Sequence, residues 1–275
     1  EGVWLYDDQG RRYLDAISSW WVNLLGHGEP RIAAAIAEQA RTLEQVIFAG
    51  FTHPPAIELA ETLVARAPAG LSRVIYADSG SAATEIALKL AHHYWRNLGQ
   101  PEKQGFVCLA DSYHGETLGA LGVTDLALYR ESYGPLMRQA EVLPSPGQWH
   151  PALEVDRLDH EAQCLAAAEA LLAREGHRLA ALIVEPLVQG AGGMRMHRPE
   201  YLARLRALCA EHRVLFVADE IAVGMGRTGT LWAMQQAGVS PDLMLIGKGL
   251  SGGLLPLSAV LTSEAIYQAF YDDYA

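Results

Sequence analysis

The sequence predicts an α/β fold with a mostly parallel central sheet and helices on both faces. Short apolar runs bounded by turn residues recur along the chain, and amphipathic helical stretches alternate with them. Two of the runs, 214–218 and 243–247, lead straight into residues that carry chemistry, Asp219 and Lys248. In open α/β sheets that carboxyl edge is where ligands bind. The chain has 275 residues, half of them hydrophobic, which is enough to bury a substantial core.

In chain order, residues 5–15 read as a hairpin with Asp8-Gln9-Gly10 at its turn. Pro30 suits the first position of a helix that runs to about Leu43, and a second helix fits 55–67. The alternation then becomes regular: strand 73–77, helix 82–97, strand 106–110, and a helix opening near Gly115. Strand 180–185, helix 199–212, strand 214–218 and strand 243–247 continue it. Residues 144–154, rich in Pro, Gly and His, read as a surface connection within one sheet. Residues 267–275 stop in mid-pattern and Glu1 is not a methionine, so both ends are expected to be trimmed.

Composition narrows the function. A formal net charge of -11 disfavours a nucleic-acid partner, since no clustered Lys/Arg surface is present to displace counterions. No stretch is long and apolar enough to span a bilayer and no secretory signal opens the chain, which points to the cytoplasm. Cys108, Cys164 and Cys209 are odd in number and widely spaced, and read as buried thiols; no metal site is indicated.

Lys248 lies between Gly247 and Gly249 after an apolar strand. In a dry cleft such an amine loses its proton easily and attacks a carbonyl, and Asp219 on a neighbouring strand end can hold a cationic ring nitrogen. That pairing is what pyridoxal phosphate requires. The plainer reading is a solvated loop lysine and the magnesium strand of an ATPase. The ATPase fails, because Asp242 stands where the first glycine of the phosphate loop should be and Gly249 where Ser or Thr should be.

Asp78-Ser79-Gly80-Ser81 joins a strand to a long helix, either as an ordinary serine cap or as a phosphate cradle built on Gly80 and Ser81. Tyr113, in Tyr113-His114-Gly115, follows the next strand and can cover a planar ring, or simply pack under its own loop. Ile221 can press on the opposite ring face, or be a core residue. Gly224-Met225-Gly226-Arg227-Thr228-Gly229 spells a dinucleotide fingerprint, but 219–223 separate it from its strand, which argues against that use. Trp20-Trp21 reads either as a core residue beside an interface anchor or as an aromatic substrate pocket, with Glu116 supplying negative charge.

Together with Glu185-Pro186-Leu187-Val188-Gln189-Gly190-Ala191-Gly192-Gly193-Met194 and Asp219-Glu220-Ile221-Ala222, these segments resemble the class III aminotransferases, pyridoxal-phosphate enzymes of fold type I, over essentially the whole chain. Ala222, where many members carry glutamine, and the tandem tryptophans are similar to members that move an amino group from S-adenosylmethionine to 8-amino-7-oxononanoate in biotin biosynthesis. The resemblance implies that Lys248 forms a Schiff base with pyridoxal 5'-phosphate and shuttles a proton, and that Asp219 keeps the ring nitrogen protonated. It implies that Gly80 and Ser81 bind phosphate, Tyr113 stacks on the ring, and Trp20 and Trp21 line the substrate pocket. Arg227 borders that pocket, and Glu116 stands where relatives carry an aspartate facing the amino donor; Val223 replaces a common threonine.

The resemblance further implies a homodimer with shared sites, residues 1–45 as the start of a small domain, and 46–275 as an incomplete large cofactor domain. Most of the small domain, with a substrate-binding arginine, is expected beyond Ala275, so the 275-residue chain alone is expected to turn over poorly. Two other readings stay open: another class III ω-aminotransferase using a diamine, an ω-amino acid or lysine, and a non-catalytic dimerisation module.

Overall fold

The computed structural model describes residues 1–271. It opens on the expected hairpin, β1 (Trp4–Tyr6) against β2 (Arg12–Leu14). Asp7 closes the turn by accepting from the Gln9 and Arg11 amides at 3.0 and 2.9 Å. Helices α1 (Pro30–Thr42) and α2 (Pro54–Arg66) each begin on proline, whose missing N–H has no partner to lose in a first turn. The alternating body follows: β3 (Leu71–Ala77), α3 (Gly80–Asn97), β4 (Gly105–Leu109), α4 (Leu118–Gly122), β5 (Glu141–Leu143) and α5 (Arg157–Glu175). Then come β6 (Leu179–Val184), the small hairpin β7 (Val188–Gln189) and β8 (Arg195–Met196), α6 (Pro199–Glu211) and β9 (Leu215–Asp219). The short α7 (Met234–Ala237), β10 (Leu243–Ile246), β11 (Ser258–Ser263) and α8 (Glu264–Gln268) complete the described chain.

Seven strands form the main sheet in the order β3-β11-β10-β9-β6-β4-β5. From β10 to β5 every pairing is parallel, while β11 runs antiparallel between β10 and β3. Both faces are covered, which is why the central strands are apolar throughout. In β9, Leu215 and Val217 pack with Ala83, Ala87 and Trp95 of α3, whereas Phe216 and Ala218 pack with Leu202, Leu205 and Cys209 of α6. The three cysteines are buried thiols, and burial pushes Cys108 up to about 12.

The structure corrects several expectations. The helix placed near Gly115 starts only at Leu118 and has five residues, because Gly115 sits at φ +122 and the Glu116 amide donates to Ser81 Oγ at 3.1 Å. The 144–154 connection is not all surface: Ser145, Pro146 and Gly147 are buried, with Ser145 Oγ donating to Gln189. Helix α5 was not anticipated. Its core positions Cys164, Ala168, Leu171 and Leu172 have helical spacing behind an Asp156 cap that accepts from the Leu158 amide at 2.8 Å. Strands β5 and β11 were also unforeseen, so the sheet is wider than expected and carries one antiparallel insertion. Of the C-terminal stretch flagged as stopping in mid-pattern, 272–275 lie outside the described residues.

Glu220, directly after β9, shows how the strand end is braced. Its two oxygens accept from the Ala233 and Met234 amides, both at 2.8 Å, at the start of α7. Burial pushes its carboxyl up to about 7, against the two amides that favour its charged form. A folded-state value above the unfolded one gives stability that is complete below about 4.5 and is lost as pH rises through about 7. Urea titrations at pH 5, 6 and 7 should show that decline. Glu220→Gln should make the decline shallower and cost about 1–3 kcal/mol, since an amide nitrogen cannot accept where a protonated acid still can.

Candidate active site at the carboxyl edge of the sheet

Strands β9 and β10 are parallel neighbours with Asp219 opposite Leu245, so Lys248 leaves the sheet just beyond that rung. Both side chains enter one cavity of ≈ 190 Å³ with Ser79, Gly80, Ser81, Tyr113, Ile221 and Trp21. Lys248 holds a left-handed φ of 42° between two glycines, a strained backbone of the kind that clusters at functional sites. Gly249 packs closely under Leu24, whose Cδ1 would lie 2.7 Å from an added Cβ. Burial lowers the Lys248 pKa below the ordinary lysine value, and Arg227 adds to this, while Asp219 and Glu185 oppose it. Of the chain's three lysines, Lys89 is exposed on α3 and Lys103 donates to the carbonyls of Gly176, Leu179 and Arg213. Lys248 is therefore the lysine that faces the cleft.

Two residues without an assigned role in the sequence reading complete the acid's surroundings. His114 Nδ1 lies 2.7 Å from Asp219 Oδ2, both side chains being buried, while the Ile221 amide donates to Asp219 Oδ1 at 3.0 Å. The His114 amide donates to Thr124 Oγ1 at 3.0 Å and its carbonyl accepts from Thr84 Oγ1 at 2.8 Å, which fixes the ring against the acid. Glu185, at the end of β6, accepts from the Tyr113 and Gly190 amides, both at 3.0 Å. Burial pushes it up to about 7, with Asp219 adding to that rise and His114 opposing it. Nothing in the spacing announces these contacts, because His114 and Asp219 are 105 residues apart.

The N-terminus of α3 supplies the cradle. Ser79 caps it by accepting from the Ala82 amide at 3.1 Å, which leaves the Gly80 and Ser81 amides without an acceptor among the described residues. Ser258 Oγ of β11 holds the Ser79 carbonyl at 2.6 Å. A Cβ on Gly80 would crowd Ile221, and one on Gly115 would collide with Ser81 Oγ. The cradle therefore depends on glycine at 115, and a side chain at 80 would press on Ile221. Gly115→Ala is expected to displace Ser81 and weaken binding of a phosphorylated ligand about tenfold or more, at roughly 1.4 kcal/mol per decade, in an absorbance titration.

Trp21 closes the front, its ring centroid 5.8 Å from Lys248 Nζ. It stands on a left-handed turn, Ser18 to Trp21, with φ of 49°, 46°, 69° and 63°. Such a turn is costly for L-residues, at about 1–2 kcal/mol each. Asp15 holds it, Oδ1 accepting from the Ser19 amide at 2.8 Å and Oδ2 from the Ser19 hydroxyl at 2.7 Å, with His27 Nε2 2.8 Å from that same Oδ2. Not every expected residue reaches the cavity. Trp20 packs against Trp21 in a tilted arrangement, centroids 5.3 Å apart, but is 62% exposed and lies outside the lining. Glu116 is exposed and connects through the Tyr113 hydroxyl, which donates to it at 2.9 Å. Arg227 lines a neighbouring cavity and donates to the Trp21 carbonyl at 3.1 Å.

An amine and an acid on adjacent strand ends, free amides at a helix N-terminus and an aromatic wall define a site for a planar, phosphorylated carbonyl cofactor. Residues 1–273 match the family described as aminotransferase class-III, and the chain belongs to that family. An adenosylmethionine-8-amino-7-oxononanoate aminotransferase from Synechococcus elongatus is 48% identical over 261 residues, covering 95% of this chain and 60% of that protein. Among solved structures, an (S)-enantioselective omega-transaminase from Thermomicrobium roseum has 36% identity and a TM-score of 0.93, over 98% of this chain and 60% of its own. A PLP-bound amine transaminase from an uncultivated Pseudomonas species has 33% identity and a TM-score of 0.92, over 100% of this chain and 63% of its own. The chain thus spans about 60% of the length of these relatives. Membership in the family implies pyridoxal phosphate as cofactor.

Proposed function

We propose that the full-length protein transfers the amino group of S-adenosylmethionine to 8-amino-7-oxononanoate, giving 7,8-diaminononanoate in biotin biosynthesis. The observation that carries the chemistry is the Lys248 amine beside Asp219 at the ends of two adjacent parallel strands. The substrate pair is supported by the name of the 48% identical Synechococcus elongatus relative.

The residues fit pyridoxal 5'-phosphate on a structural criterion. The Gly80 and Gly115 cradle, which a Cβ at 115 would obstruct, opens beside two unsatisfied amides. Gly80 and Ser81 would hold the phosphate, Tyr113 and Ile221 the ring faces, Asp219 the ring nitrogen, and Lys248 the carbonyl carbon. When bound, the cofactor supplies an electron sink and carries the amino group between two substrates.

The chain's own residues do the rest. Lys248, with its proton loosened by burial, takes and returns a proton at Nζ. Asp219, fixed by His114 and the Ile221 amide, keeps negative charge where a cationic ring nitrogen needs it. Trp21 shields the amine from water. Trp20, Glu116 and Arg227 are assigned to the substrate side, with Trp20 acting through its contact with Trp21.

A homodimer with shared sites is supported by the apolar exposure of Ile47, Phe48 and Phe51 at 61%, 54% and 66%. A cytoplasmic location accords with the finding that, among the described residues, no helix is long and apolar enough to cross a membrane. A second reading, an ω-aminotransferase acting on a diamine or an ω-amino acid, is favoured by the Thermomicrobium roseum neighbour.

The two readings separate in one assay. Full-length protein with cofactor is mixed with each donor alone, and loss of the visible cofactor band is followed. Reaction with S-adenosylmethionine, followed by diamine formation from 8-amino-7-oxononanoate, is the expected result. Reaction with diamines or ω-amino acids, and no diaminononanoate from either S-adenosylmethionine or lysine, would transfer the assignment to the second reading.

A further inference from the structure

The wall that Trp21 gives the cleft is set by a chain of hydrogen bonds behind it. The Gly26 amide donates to Asn23 Oδ1 at 2.7 Å, so the Asn23 amide nitrogen faces His27 Nδ1, 3.1 Å away. That nitrogen can only donate. His27 Nδ1 therefore accepts, and the ring proton sits on Nε2, 2.8 Å from Asp15 Oδ2. From the other side the Ser19 amide and hydroxyl donate to Oδ1 and Oδ2 of the same carboxylate, whose side chain is 6% exposed. All the donors converge on Asp15. A cap of the turn alone would need only Ser19, whereas His27 and Asn23 extend the chain beyond it and give it a direction.

The turn held in this way is seated on the loop that carries Lys248. Val22 and Leu24, which follow it directly, lie over Gly253 and Gly249. A Cβ at Gly253, where φ is +83°, would come 2.5 Å from Val22 Cγ1, a stiff β-branched methyl that has little freedom to swing aside. On its other flank the Trp21 carbonyl accepts from Arg227 at 3.1 Å. Four successive left-handed residues keep their conformation only while such contacts hold them, so one carboxylate governs a strained turn that touches the backbone just past Lys248.

We propose that Asp15 is a positioning residue for the reaction at Lys248, acting through the directed chain Asn23–His27–Asp15 that sets the Trp21 wall against the Lys248 loop. This deepens the transaminase reading and rests on it for the reaction, while the chain itself is read from the hydrogen bonds.

Reversing the direction of the chain in the full-length protein tests it. Asp15→Asn turns one of two acceptors into a donor, which meets either His27 Nε2–H or the Ser19 amide. Adding Asn23→Asp repairs this. The new amide donates to His27 Nε2, the ring proton moves to Nδ1, and the new carboxylate accepts from Nδ1 and from the Gly26 amide. In cofactor-free protein, Asp15→Asn should speed hydrogen exchange about tenfold or more in peptides covering 17–24 and 247–254 and leave 215–218 unchanged. The double variant should return to within about twofold of the parent. With cofactor and both substrates, kcat/KM should fall about tenfold in the single variant, chiefly through KM because the Trp21 wall moves while Asp219 does not, and recover in the double. Should Asp15→Asn fail to fold, Ser19→Ala, a milder loss at the same carboxylate, should speed exchange in the same two peptides.

Exchange within about twofold of the parent in both peptides of these variants, or a double variant no better than the single, overturns the proposal. An equal rise in 215–218 also overturns it, since Asp15 would then stabilise the whole fold and position nothing in particular. An exchange pattern that breaks and recovers as expected, with no turnover even in the parent, removes the transaminase reading and leaves the chain standing.

Discussion

Lys248→Ala is expected to lower kcat of the full-length enzyme by about 10⁴-fold or more, the upper range of general acid–base effects, with covalent anchoring lost as well. Three observations support so large an effect. Lys248 is the chain's one lysine in the cleft, since Lys89 is exposed and Lys103 is fixed on three carbonyls. Its pKa is lowered chiefly by burial, which leaves more neutral amine at a given pH than a surface lysine offers. It sits on a left-handed backbone that the fold holds in place between Gly247 and Gly249. Lys248→Arg should not rescue activity, because a guanidinium stays charged and cannot serve as a neutral nucleophile or base. Unchanged circular dichroism with lost turnover would place the effect in chemistry; a variant retaining a tenth of parent activity would contradict it.

Asp219→Ala should produce the second largest effect, through two routes. It removes the negative charge opposite a cationic ring nitrogen, expected to cost about 10³-fold in kcat, comparable with the loss of one preorganised electrostatic contact. It also leaves buried His114 and the Ile221 amide without their acceptor, at about 1–3 kcal/mol of folding stability for each buried group left unpaired. Asp219→Asn separates the routes. It retains an oxygen for the Ile221 amide, so stability should largely return while kcat stays low. If Asn restored full turnover, the charge at that position would not be what the reaction needs.

The sheet was legible in the sequence where strands are buried on both faces. Leu215 to Ala218 and Leu243 to Ile246 read as unbroken apolar runs because α3 covers one side and other elements cover the second. Strand β11 was not, because Ser258 and Thr262 break its apolar pattern, although both are buried. Helix α5 hid behind a charged first turn. The site was legible where residue type and strand position coincide, at Asp219, Lys248 and the Ser79 cap. His114 and Glu185 depend on contacts between distant strand ends, and the support Asp15 gives to the Trp21 turn depends on a left-handed backbone; local spacing reports neither. Trp20 and Trp21 are neighbours in sequence, yet the turn sends one to the cavity and leaves the other exposed.

Lys248 is proposed as the residue that holds a carbonyl cofactor in this cleft. Full-length protein incubated with pyridoxal phosphate, reduced with borohydride and digested gives a direct test by peptide mass mapping. The phosphopyridoxyl mass is expected on the peptide containing Lys248, and is expected to be lost in Lys248→Ala. Labelling confined to other lysines, or none at all despite a folded protein, would contradict it.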